Sequence, residues 1–157
     1  LDGALVTLPN PSSHLLKATP TVCGALVEPE MGASDGRLLR AVAHSIGTII
    51  EHLPMVRPIH LFHGPRFLPC GPSNYSGGGD GRDDGGAAAA HASLCRLVSS
   101  EAVVPHALTR DDFAEADRNR FLKSRVFWAR LAGSDKVLMF GGGSVACGGE
   151  GRGQGPE

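Results

Sequence analysis

The sequence predicts a small, mostly helical α+β chain built on two amphipathic helices, near residues 35–53 and 109–132, with a third short helix and minor strands beside them. Three observations lead there. Apolar positions recur at helical spacing in those two segments. The 22 Gly and 11 Pro fall mostly between them and raise the entropy cost of ordering the connections. Leu, Ile, Val and Phe make up only about a quarter of the chain, just above the level at which a charged chain reads as disordered.

The first helix is the better marked. Ser34 or Asp35 caps it, Leu39, Val42, Ile46, Ile49 and Leu53 repeat at alternating steps of three and four, and Pro54 stops it. Gly47 and three isoleucines lower its intrinsic propensity, so tertiary contacts must hold it. The second helix, Thr109 to Leu131, opens with Thr109 and Asp112 in the arrangement of a capping box and ends at Gly133. Phe113, Phe121, Phe127, Trp128 and Leu131 share one arc at one hundred degrees per residue, with Leu122 and Val126 opposite. A third helix is expected over Ala87 to Val98, where four consecutive Ala favour it.

Strands are expected over Ala4–Leu8, Thr21–Val27 and Lys136–Phe140, the last as a buried strand. Five prolines between Pro54 and Pro72 exclude regular helix and leave only short extended pieces around Ile59-His60-Leu61-Phe62. These readings divide the chain into an N-terminal strand and helix segment with a Pro-rich stretch (1–70), a Gly-rich linker (71–86), a helical segment ending in a strand (87–140) and a loose Gly-rich tail (141–157).

Composition narrows the function classes. A formal net charge of −1 argues against a nucleic-acid or acidic-membrane partner, since such binding needs an excess of Lys and Arg on one face. No apolar run is long enough to cross a bilayer and no secretory signal pattern is present, so a soluble, cytoplasmic chain is the default. The chain starts at Leu1 rather than Met, which leaves targeting open. Cys23, Cys70, Cys95 and Cys147 are irregularly spaced and read as reduced thiols. Asn74-Tyr75-Ser76 matches a glycosylation acceptor.

Three segments could carry chemistry. Val137 to Phe140 runs into Gly141-Gly142-Gly143-Ser144-Val145-Ala146, where Gly141, Gly143 and Ala146 fit G-x-G-x-x-A after a strand and would let a backbone approach a pyrophosphate. The Gly-Gly-Gly-Ser-Val string resembles the cofactor loop of the iron-dependent alcohol dehydrogenases, which implies NAD binding in a truncated oxidoreductase. The glycine-rich residues after Ala146 cannot form the helix that this fingerprint needs. Ala146-Cys147-Gly148-Gly149-Glu150 is similar to the nucleophile segment of caspases, which implies a Cys147 thiolate served by His91 or His106; Val145 stands where that family has Gln. His52, His60, His63 and Cys70 supply four side chains of types zinc accepts, at a spacing that fits no short zinc motif.

The expected function is therefore non-catalytic: a protein-interaction or regulatory fragment binding a protein partner through its apolar helix faces. No resident cofactor, metal or catalytic set is expected. The nucleotide-binding and cysteine-protease readings stand as alternatives.

Overall fold

A computed structural model of the chain describes residues 21–31, 36–71, 84–110 and 115–142. The elements run β1 (Val22–Glu28), α1 (Gly36–His52), β2 (Val56–His63), α2 (Asp84–Ser99), β3 (Val103–Ala107), α3 (Glu115–Leu122), α4 (Arg125–Arg130) and β4 (Lys136–Phe140). The strands form one sheet in the order β3-β2-β1-β4, and every pairing is parallel. This is an α/β architecture, which corrects the expected mostly helical α+β chain with minor strands.

The physical reason lies in β1. Its sequence, Val22-Cys23-Gly24-Ala25-Leu26-Val27-Glu28, is an almost unbroken apolar run, and its five central residues are buried. Parallel strands are covered on both faces and so lack the polar alternation of a half-exposed strand. Leu26 points into a core made with Leu39, Val42, Ile46 and Ile49 of α1 and Leu94 of α2. Cys23, Ala25 and Val27 point the other way, toward Phe62, Phe127 and Leu131. Gly24 is needed because a Cβ there would lie 3.0 Å from Ile59 and 3.1 Å from Phe140, on the strands either side.

The apolar stripe of α1 thus lies against the sheet and α2. It does not face the second predicted helix, which is on the opposite side of the sheet. That predicted helix is also not continuous. Residues 111–114 lie outside the described residues, α3 ends at Leu122, and Ser124 begins α4 as an N-cap, its hydroxyl accepting from Phe127 N at 3.2 Å. This restart changes the phase of the apolar arc. Phe127 is fully buried, whereas Trp128 is 50% exposed and Val126 64%.

Both strands that contain proline carry it where a parallel sheet tolerates it. Val22 pairs with Val56 but Gly24 with Ile59, so β2 has one residue more than β1 over that stretch, and Pro58 sits within this irregularity. On β3, Ile59 N–H donates to Ala102 O and Leu108 N–H to His63 O. Residues 102, 104, 106 and 108 therefore turn toward β2, and Pro105 faces the open edge, where its missing N–H costs no ladder bond. The third helix begins at Asp84 and so includes Gly85 and Gly86 of the glycine-rich stretch. The predicted strand at Ala4–Leu8 lies outside the described residues.

Phe127 is the test of the second core. It meets Phe62, Phe121 and Trp128 with ring centroids 5.1–5.3 Å apart. Phe127→Ala should cost about 3–5 kcal/mol in urea unfolding, while Val126→Ala should change stability by less than about 0.5 kcal/mol. Equal losses would contradict the restarted helix.

Candidate ligand site where the winding reverses

The chain builds the sheet outward from β1 through β2 to β3 and then returns to place β4 on the other side of β1. The cores sort the helices accordingly, with α1 and α2 on one face and α3 and α4 on the other. In such doubly wound sheets the connections leaving adjacent carboxyl ends diverge at the reversal, which opens a crevice between those strand ends. Here that point lies between Glu28, ending β1, and Gly141-Gly142, following β4.

Glu28 is the hub of this point. Gly142 N–H donates to its Oε1 at 3.0 Å. Arg118, on α3, brings Nη2 within 3.8 Å of the same oxygen and also donates to Val27 O. From the opposite face, the buried Ser45 hydroxyl of α1 donates to Gly142 O at 3.0 Å. A Cβ at Gly142 would lie 3.1 Å from Val42 and 3.2 Å from Glu28 Oε1, so the absence of a side chain lets the turn sit against both. The Arg118 side chain remains 43% exposed, leaving a guanidinium partly open to solvent beside a carboxylate. Such a mouth offers donors for an anion and acceptors for hydroxyl groups.

Of the residues predicted to approach a cofactor, Gly141 lies at this point, between β4 and Gly142, whereas Gly143 and Ala146 lie outside the described residues, as do Cys147 and Asn74-Tyr75-Ser76. Glu28 and Ser45 were not singled out in the sequence, and Arg118 stood out only as one of five basic residues, with Arg120, Lys123, Arg125 and Arg130, able to touch phosphates but read as a solvated helix face. Glu28 had one legible signal, an acid closing an apolar strand. Nothing local set Arg118 apart from the other basic residues, because α3 carries Arg120 and acids of similar appearance.

The candidate zinc ligands do not converge. His60 and His63, three apart on β2, point to opposite faces of the sheet. His63 Nδ1 is 2.8 Å from Gly64 O, Cys70 is bonded to Cys95, and His52 closes α1 at the amino edge. Among the described residues no three His, Cys, Asp or Glu side chains are grouped to hold a metal. The two histidines considered as partners of Cys147 are likewise separated by the sheet. His91 Nε2 lies 2.9 Å from Leu68 O beside α2, while His106 stacks on Phe62 on the α4 side. The bond between Cys70 and Cys95 corrects the expectation of reduced thiols for these two. Cys23 is free and buried.

His106 and His60 form a pair, with Nε2 and Nδ1 2.9 Å apart and the rings 3° from parallel. Burial pushes the His106 pKa down to about 4, with smaller contributions from His60, Arg130 and His63. Burial also lowers His60 and His63.

Searches of family models, curated proteins and solved structures return no match to this chain. No described helix is long and apolar enough to cross a membrane.

The histidine pair gives a pH test. Because the folded pKa of His106 lies below the unfolded value near 6.5, the unfolded chain binds the extra proton between them. The stability present above about pH 6.5 is therefore lost as pH falls toward about 4 and changes little further below. Solvent screening of this half-buried ring keeps the contribution on the order of 1 kcal/mol. Urea titrations at pH 7.5 and 5.0 should show the wild type losing about that much more than His106→Gln. Identical losses would contradict a neutral, half-buried His106.

Proposed function

We propose that the chain binds a nucleotide-type small molecule, a phosphorylated ligand carrying hydroxyl groups, in the crevice between the carboxyl ends of β1 and β4. The observation that carries this reading is the reversal of winding at β1, with Glu28 and Arg118 side by side at its mouth. Open parallel sheets bind ligands at that position because the diverging connections leave backbone and side-chain groups uncovered there. Arg118 supplies a planar set of donors suited to phosphate oxygens. Glu28 can accept from hydroxyl groups through the carboxylate oxygen that Gly142 does not use.

The NAD form of this reading has less support than the general one. The dinucleotide fingerprint belongs to the first strand–helix turn, and in this chain Glu28-Pro29-Glu30-Met31 leaves β1, with Met31 buried. The glycine-rich run instead follows β4. The protein-interaction role keeps a narrower basis, the exposed Val126 and Trp128 on α4, since the α1 stripe is covered. Trp128 is the only tryptophan, so unchanged emission over a wide protein dilution would count against self-association through that surface.

Thermal melts with millimolar ADP, UDP and NAD test the ligand reading. At about ten times Kd, a bound nucleotide should raise Tm by roughly 3 °C or more. Arg118→Ala should remove the shift at the same concentration while still melting cooperatively. No shift with any of these ligands, or an equal shift in Arg118→Ala, would remove the proposal's support.

A further inference from the structure

We propose that Cys70–Cys95 is a solvent-accessible thiol–disulfide exchange site, taking glutathione or a protein dithiol as its partner, that controls how firmly the connection after β2 is fastened to α2. The two Cα atoms lie 5.0 Å apart, within the range a disulfide spans without backbone movement, and the bond closes a sequence separation of 25 residues. Cys70 is exposed and Cys95 partly so, whereas Cys23, the free thiol among the described residues, is buried. Exchange needs a thiolate to reach a sulfur, so access selects the bonded pair and protects Cys23.

The surroundings show what the bond fastens. From Gly64 to Cys70 the chain lies against α2 through three attachments in sequence. Phe67 is buried in the core shared by α1, α2 and the sheet, and its ring meets His63 and His91 edge-on at 5.2 and 5.9 Å. His91 then reaches Leu68 O, and Cys70 completes the series by bonding to Cys95 one helical turn further along α2. The first two attachments survive reduction, so the reduced chain keeps its fold with a looser connection.

The chemistry balances without any group the proposal does not name. In oxidation, the thiolate of one cysteine attacks oxidised glutathione, forming a mixed disulfide and releasing one glutathione thiolate. The second cysteine, deprotonated, attacks the protein sulfur of that mixed disulfide and releases the other. Two protein thiols and one glutathione disulfide become one protein disulfide and two glutathione thiols, the two protons passing to the released thiolates. A reduced dithiol reverses the sequence.

The proposal goes beyond ligand binding and is tested without a ligand. Peptide mapping of the full chain, alkylated in its native state after exposure to glutathione buffers of graded ratio, should show Cys70 and Cys95 becoming labelled together as the buffer becomes more reducing. Cys23 should stay unlabelled until denaturant is added. The oxidised chain should lose roughly 10 °C in Tm on reduction, the scale expected for a loop of this length. The double variant Cys70→Ser, Cys95→Ser should melt where the reduced wild type does, with or without reductant. Hydrogen exchange should quicken on reduction at 64–70 and the adjoining turns of α2, and not at α4. Free thiols at both positions under oxidising conditions, or a bond from either one to Cys147, would overturn the proposal. So would a reductant-insensitive Tm or labelling of Cys70 and Cys95 at unrelated ratios. Because mapping uses the wild-type chain, a variant that fails to fold leaves the test intact.

Discussion

The structure depends on the complete enclosure of β1. This strand is hydrogen-bonded on both edges, to β2 and β4, and covered on both faces, so none of its central residues meets water. An enclosed strand has no use for polar alternation, and its run of small and medium apolar side chains sets how closely the layers approach. Leu26 and Gly24 serve the α1 face, while Cys23, Ala25 and Val27 leave room for Phe62 and Phe127 on the other. Each large apolar side chain buried this way contributes about 1.5–3 kcal/mol relative to exposure. The two cores therefore meet across the sheet, with β1 contributing to both.

That enclosure also explains the candidate site. A strand with neighbours on both sides, reached by connections over opposite faces, ends where those connections part. Glu28 ends the apolar run at this point, and it is held from three directions: by Gly142 following β4, by Arg118 of α3, and through Ser45 and Gly142 by α1. The hub thus joins elements from both layers at one end of the sheet. Across the same layer, Phe67, His91 and the Cys70–Cys95 bond hold the connection leaving β2.

Parts of this were legible in the residues, and the remainder was hidden for identifiable reasons. The alternating steps of three and four from Leu39 to Ile49 mark α1 because a helix covering a sheet needs one continuous apolar stripe. Thr21 to Val27 and Lys136 to Phe140 read as strands from their apolar runs, but such runs do not disclose which strand is central or that all are parallel. The strand β2 was obscured by the surrounding prolines. Pro58 is accommodated by an extra residue in the ladder, and Pro105 of β3 by an outward-facing edge, and both accommodations arise only from pairing with distant strands. The helix predicted over 109–132 failed through phase. Ser124 restarts the helix, so Phe127 turns inward and Trp128 outward, which a constant one hundred degrees per residue cannot represent. Glu28 and Arg118 come from segments 90 residues apart, and no local pattern joins them.

Residue-resolved hydrogen exchange under native conditions tests the enclosure of β1 most directly. Amides of residues 23–27 should exchange only through global unfolding, matching the slowest amides of β2, while α3 exchanges faster by local opening. If residues 23–27 instead exchanged at the rates of an unstructured peptide while residues 36–52 stayed protected, the four-stranded parallel sheet would be contradicted.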